Sequence, residues 1–111
     1  GILGVAYKPN VDDPRESPAF KLMELLTEGE AELSYNDPYI PQLPKMRSFD
    51  VPSLQSEELS PEYLSSLDCL LIVTDHDVYD WELVAEHASL IVDTRNALAS
   101  VTQDRAKIWK A

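Results

Sequence analysis

Glycine is scarce in this chain. Three glycines in 111 residues leave no G-x-G-x-x-G turn and no P-loop, so the chain carries no dinucleotide fingerprint of its own. Cysteine is scarcer still. A lone Cys69 excludes an internal disulfide and fits a reducing compartment. Cations are few as well: nine Lys and Arg against twenty Asp and Glu give a formal net charge of −11. Such a surface argues against nucleic acid or an anionic membrane as partner, because neither would gain from counterion release there. No apolar run approaches the roughly 20 residues of a membrane span. No basic stretch followed by an apolar run and a small-residue cleavage site marks a secretory leader, so the expected location is cytoplasmic.

What remains is ordinary globular composition, with 44% hydrophobic and 26% charged residues. The length suits one domain over 1–111, large enough to bury a core without staples. Gly1-Ile2-Leu3-Gly4-Val5-Ala6 already reads as a buried strand. A natural domain rarely opens on a central strand, so the sequence reads as a fragment of a longer protein.

Apolar strand candidates alternate with helical patterns, the signature of a parallel α/β sheet. The strands are Ile2–Ala6, Ala31–Tyr35, Cys69–Val73 and Leu90–Val92, with a short edge strand near Phe49–Val51. A helix is expected from Pro18 to Glu28, with Ser17 as N-cap, Pro18 at the first helical position and Gly29 as the stop. Its buried stripe is Ala19, Leu22, Met23 and Leu26. Ser60-Pro61 repeats the start signal for a short helix reaching about Leu67. Asp80 caps a third helix, with Trp81, Val84, Ala85 and Ala88 on one face. Five of the eight prolines fall between residues 38 and 61, which excludes long regular elements there. The tail from about Val101 to Ala111 is expected to be helical and anchored by Trp109.

In open parallel sheets, ligands bind outside the carboxyl ends of the strands. Each strand here runs out into polar residues. Tyr7, Lys8, Asp12, Asp13 and Arg15 come after the first, and Asn36 and Asp37 after the second. Thr74, Asp75, His76 and Asp77 come after the third, and Asp93, Thr94, Arg95 and Asn96 after the last. Parallel strands would put all four clusters on one rim. Against so acidic a background, Lys8, Arg15 and Arg95 stand out as what an anionic ligand would need. Lysine offers a point charge and arginine a planar fork suited to phosphate. The competing reading for Lys8 and Arg95 is local salt bridging to Asp12, Asp13 or Asp93. Arg15 precedes the helix start, where Glu16 would repel a phosphate and Ser17 already occupies an N–H. It reads as projecting away from its own domain, or as pairing with Glu16 or Asp13.

Other features carry less. Asp75-His76-Asp77 has metal-capable side chains, but neighbours on an extended loop point in different directions, so a solvated or loop-bracing role outweighs a metal site. Cys69 sits in an apolar strand with no adjacent His or cation, which favours a core role over a nucleophilic one. The candidate sites are therefore neither catalytic nor metal-binding.

The most specific wording is Gly4-Val5-Ala6-Tyr7-Lys8-Pro9-Asn10-Val11-Asp12-Asp13-Pro14-Arg15-Glu16-Ser17-Pro18, a ligand-facing loop built on a strand-to-helix junction. Tyr35-Asn36-Asp37-Pro38-Tyr39, Ile72-Val73-Thr74-Asp75-His76-Asp77 and Val92-Asp93-Thr94-Arg95-Asn96 come after it in order. Together these blocks resemble the C-terminal, UDP-binding domain of the UDP-glucose/GDP-mannose dehydrogenases. The resemblance implies a three-layer α/β/α Rossmann-like sandwich with a mostly parallel sheet of about five strands. It implies a parent enzyme that oxidises a sugar C6 alcohol to a carboxylate with two NAD reductions and a catalytic cysteine, in polysaccharide biosynthesis. Tyr7 and Lys8 match the family's aromatic-Lys pair on the nucleotide-sugar, and Arg95 the arginine after the last core strand. Arg15 matches the arginine that reaches NAD held by the N-terminal domain. The wording looks closer to UDP-N-acetylhexosamine 6-dehydrogenases than to UDP-glucose 6-dehydrogenases.

By the same resemblance the fingerprint for NAD, the central dimerisation helix and the catalytic cysteine lie upstream, and Cys69 does not match that cysteine. The implied partners are a UDP-sugar, the N-terminal and central domains, and further subunits of a homo-oligomer. The isolated chain is expected to be inactive. Two other classes compete. One is a non-catalytic α/β interaction or regulatory module that kept the fold and lost its ligand. The other is a phosphoacceptor receiver-like domain, which fails because Asp12 and Asp13 lie well beyond the strand end.

Overall fold

The computed structural model describes residues 1–103 and 105–111. Five short strands form one sheet: β1 (Ile2–Leu3), β2 (Tyr35–Asn36), β3 (Leu70–Ile72), β4 (Ile91–Asp93) and β5 (Ile108–Lys110). Among the described residues, three α-helices lie between them: α1 (Pro18–Glu28), α2 (Pro61–Ser66) and α3 (Trp81–His87). The strand order is β2-β1-β3-β4-β5 and every pairing is parallel. The chain thus winds one way from β1 to β2, then returns to build outward through β3. That reversal opens a crevice between β1 and β3 at their carboxyl ends.

Alternation along the strands sorts the core into two layers. Ile2 faces a cluster with Ala19, Phe20 and Met23 of α1. Leu3, Leu70, Ile72 and Ile91 face Leu64 of α2 and Val84, Ala85 and Ala88 at α3. One helix on one face and two on the other make the expected three-layer sandwich.

Local chemistry explains the helix ends. Ser17 Oγ accepts from Ala19 N and Pro18 opens α1, as the sequence predicts. Ser60 and Asp80 cap α2 and α3 in the same manner. Gly29 is the C-cap of α1, yet its φ is −81°, and a side chain there would meet only ordinary contacts. The left-handed residue is instead Glu30, at φ 67°. Glu30 N donates to Thr27 O and Ala31 N to Leu26 O, the paired bonds of a Schellman ending.

Four expectations need correction. The second strand forms at Tyr35–Asn36, not Ala31–Tyr35, because Ala31 is consumed in closing α1. The buried stripe of α1 uses Phe20, while Leu26 is exposed. Phe20 stacks on Phe49 at 6.3 Å because the proline-rich stretch folds back over this helix. No edge strand forms at Phe49–Val51. The bridges that do form lie on either side of it, Gln42 to Gln55 and Tyr35 to Ser56, while Pro44 and Pro52 remove ladder donors in between. Finally, the tail is not a helix: a 3₁₀ turn at Arg105–Lys107 leads into β5. Trp109 pairs in register with Val92 and is 64% exposed, so it anchors nothing in the core.

Candidate functional site

Because all strands run parallel, the four polar clusters share one rim, as the sequence predicts. The first loop leaves the sheet at Gly4, whose φ is +84° and where a Cβ would collide with Thr74 O. Only glycine permits that approach of β1 to the β3 loop. Beyond it, Val5 N and Ala6 N both donate to Asp37 Oδ2, at 2.8 and 3.1 Å, and Thr74 Oγ1 donates to Ala6 O at 2.6 Å. Tyr7 N donates to Asp13 O and closes the loop on itself. The backbone under Tyr7 and Lys8 is therefore pinned from two neighbouring strands.

Asp37 and His76 form the centre of this bracing. Both are fully buried, with His76 Nε2 2.9 Å from Asp37 Oδ2. On the other side of the ring, Asn10 N donates to His76 Nδ1 at 2.8 Å. A backbone N–H can only donate, so Nδ1 is the bare nitrogen and Nε2 carries the proton toward Asp37. Tyr39 N donates to Asp37 Oδ1. Burial pushes the Asp37 carboxyl up, but the hydrogen bonds from His76, Val5 and Tyr39 outweigh it and leave the group below its ordinary value. Asn10, at φ 66°, also exchanges side-chain bonds with Asp77: its Nδ2 donates to Asp77 Oδ2, and Asp77 N donates to its Oδ1.

The four predicted residues sit on this frame. Tyr7 is 41% exposed, with Lys8 Nζ 5.4 Å from its ring centroid. Among the described residues, no carboxylate lies within ion-pair distance of Lys8. Arg95 does have a partner, though not one that the sequence named: its Nε lies 3.4 Å from Asp75 Oδ1, on the β3 loop. Its backbone is set by the buried Asp93, whose carboxylate accepts from Arg95 N, Ala97 N and Leu98 N. Such a partly exposed ion pair is worth at most about 1 kcal/mol and yields readily to a stronger anion.

Arg15 resolves both halves of its expected alternative. It forms a two-pronged pair with Asp13, Nε to Oδ1 at 3.0 Å and a terminal nitrogen to Oδ2 at 2.8 Å, yet its side chain stays 81% exposed. The Arg15 hydrogen bonds hold the Asp13 carboxyl down at about 2. Tyr7, Asp13, Arg15 and Glu16 line a shallow depression of about 330 Å³. Lys8 and Arg95 stand on loops two strands apart, roughly 10 Å at normal strand spacing, within reach of one extended anion.

Cys69 immediately precedes β3, at the opposite end of the sheet from the rim. It lines a groove of about 890 Å³ with Gly1, Glu30, Glu32, Glu57 and Asp68. That groove is larger than the depression at the rim, but no Lys or Arg side chain lines it and four carboxylates do, so it is unsuited to a phosphate. Among the described residues no group of His, Cys, Asp and Glu is arranged to hold a metal ion. Among them, too, no helix is long and apolar enough to cross a membrane.

Comparison with known proteins decides the family. The UDP-binding domain of the UDP-glucose/GDP-mannose dehydrogenase family matches residues 1–100. The chain belongs to this family. A UDP-N-acetyl-D-mannosamine dehydrogenase from Methanococcus maripaludis is 36% identical over 70% of this chain and 16% of its own length. One from Methanocaldococcus jannaschii is 35% identical over 87% of this chain and 22% of its own. Among solved structures, the UDP-N-acetyl-mannosamine dehydrogenase of Staphylococcus aureus superposes with TM-score 0.67 at 25% identity, over 98% of this chain and 24% of that one. The enzyme from Pyrococcus horikoshii gives TM-score 0.61 at 29% identity, over 86% of this chain and 21% of that chain. The chain thus spans about a fifth of the length of these relatives. Their names bear out the reading toward UDP-N-acetylhexosamine enzymes drawn from the wording of the loops.

Sequence reading missed the weight of Asp37, Asn10 and Asp93, which touch backbone and loops. It placed His76 as solvated or bracing, and it is bracing. The available signal was a histidine in the loop that follows the apolar β3, in a chain with only two.

Proposed function

We propose that this chain is the C-terminal domain of a nucleotide-sugar 6-dehydrogenase and holds the UDP part of the substrate, a UDP-N-acetylhexosamine or UDP-glucose. Lys8 and Arg95 would neutralise the diphosphate from two loops of one rim, while the exposed Tyr7 ring would pack against the nucleotide-sugar. The observation that carries this reading is the placement of Lys8, without a carboxylate partner among the described residues, on a loop braced from β2 and β3, in a chain of net charge −11. A solvated lysine in so acidic a protein would be expected to find a local carboxylate.

NAD would be held mainly by another domain of the parent enzyme. With glycines only at 1, 4 and 29, the chain has no Gly-rich turn on which a pyrophosphate could rest. The residues present fit a contribution to such a cofactor, not a whole site. Arg15, exposed and held in a fixed fork by Asp13, would meet its charge from across the cleft. Bound NAD would accept hydride during oxidation of the C6 alcohol. The chain's own part is to fix the UDP end so that the sugar reaches the catalytic domain. With Cys69 at the far end of the sheet, the rim offers no thiol nucleophile, so the isolated chain would turn over no UDP-sugar. The parent enzyme would be a cytoplasmic homo-oligomer supplying oxidised sugars for polysaccharide synthesis.

Titration of UDP into ¹⁵N-labelled protein, wild type and Lys8→Ala, tests the reading. Shift changes should centre on Lys8 and Arg95, and the variant should bind about tenfold more weakly, the scale of one lost charge-assisted contact. No shift at millimolar UDP would instead favour an α/β interaction module that has lost its ligand.

A further inference from the structure

The geometry points to His76 as a positioning residue for ligand binding, one that sets the Tyr7–Lys8 segment through the backbone of Asn10 and rests on Asp37. The inference deepens the UDP-binding reading and rests on it for its ligand. Its own observation is the linear chain Asn10 N–H to His76 Nδ1 and His76 Nε2–H to Asp37 Oδ2, at 2.8 and 2.9 Å. Asp37 Oδ2 also receives Val5 N and Ala6 N. The loop segment bearing Tyr7 and Lys8 is therefore fastened at both ends to one buried pair: at Val5 and Ala6 directly, and at Asn10 through the imidazole.

The ring itself cannot pivot freely. Tyr39 and Tyr79 enclose it, with ring centroids 4.7 and 5.5 Å away, and Tyr79 Oη donates to Asn36 O at the end of β2. His76 follows β3, Asp37 follows β2 and Asn10 follows β1, so the chain of bonds ties three strand ends across the crevice. Asn10 stands in the left-handed region, a conformation that costs a non-glycine residue about 1 kcal/mol and persists only where its surroundings hold it. A loop that merely capped the sheet would need no such anchor two residues beyond an exposed lysine.

Glutamine can reproduce both bonds, accepting with its oxygen and donating with its nitrogen, whereas leucine fills the space and makes neither. His76→Leu should weaken UDP binding about tenfold and speed amide exchange at Tyr7, Lys8 and Asn10 by a similar factor, with Lys8 still present. His76→Gln should recover most of both losses. In the wild type, ¹⁵N shifts of the imidazole should report a bare Nδ1 and a protonated Nε2. Unchanged exchange and affinity in a folded His76→Leu would overturn the inference, as would His76→Gln no better than leucine. If wild type binds no UDP, the UDP reading fails, and the exchange and imidazole signals still decide the positioning role. Should His76→Leu not fold, the glutamine variant and the imidazole signals carry the same decision.

Discussion

The amino ends of the strands enclose a groove of about 890 Å³ walled by Glu30, Glu32, Glu57 and Asp68, whereas the carboxyl ends carry Lys8, Arg15 and Arg95 over shallow relief. Volume alone would select the groove. Chemistry selects the rim, because a diphosphate must exchange its hydration for cations and fixed donors, and the groove would repel it. The two ends also differ in how they are built. The rim hides its polar investment beneath the surface, in Asp37, His76, Thr74 and Asp93, all nearly or fully buried. The acidic groups of the groove are surface side chains, with no comparable buried network beneath them among the described residues. In the proposed UDP site, buried hydrogen bonding that orders exposed charge counts for more than the size of an opening.

The largest expected effect lies in that network. Asp37→Ala strands the Val5, Ala6 and Tyr39 N–H groups and the His76 ring, and should cost about 3–5 kcal/mol in urea unfolding. Glu32→Ala, at the groove, should stay within about 0.5 kcal/mol. The pH dependence has a definite sign. The folded-state pKa of Asp37 lies below its ordinary 3.8, so its stabilisation is fully present above that value and is lost as pH falls through the lower, folded one. Acid unfolding of the wild type should therefore steepen below about pH 4. Asp37→Ala should lack that component, and an acid limb of equal steepness in both proteins would refute the assignment.

A second break falls at the hinge between sheet and rim. Gly4→Ala forces a Cβ against Thr74 O in a left-handed conformation, and should cost about 2–4 kcal/mol. Gly29→Ala, where only ordinary contacts await, should be neutral or slightly stabilising. The pair separates a glycine required by approach from one that merely ends a helix. Equal thermal midpoints for both variants would show that the approach of Gly4 to Thr74 O leaves room for a Cβ.

That contrast also measures how much is legible from sequence. The parallel sheet, the three caps Ser17, Ser60 and Asp80, and the common rim follow from local signals: apolar runs, Ser-Pro starts and polar residues after each strand. Tertiary decisions are not legible. Phe20 replaces Leu26 in the core because Phe49 arrives from a proline-rich stretch with no periodicity of its own. The tail becomes β5 because β4 offers an open edge, with Ile108 pairing to Ile91 far back in the sequence. At the site, exposed Lys8 and Arg95 are visible by their charge, but Asp37 and His76 look like any polar loop. Their role depends on burial, which a sequence of loop residues does not display.

The smallest effect tests the far end of the comparison. Cys69 precedes β3, its carbonyl accepts the Gly1 amino group at 2.8 Å, and its side chain is partly buried beside Leu67, Asp68 and Leu71 in the groove. If the groove has no part in holding the nucleotide, Cys69→Ala should shift stability by about 1 kcal/mol or less and leave UDP affinity within about twofold, less than the loss of one net hydrogen bond. Alkylating the thiol should likewise leave the Lys8 and Arg95 signals in place during a UDP titration. A tenfold loss of affinity on either change, with the fold intact, would mean that the amino end communicates with the rim through β3. The separation of the two ends would then be one of chemistry and not of function, because Leu70–Ile72 is the strand that joins Cys69 directly to the His76 loop.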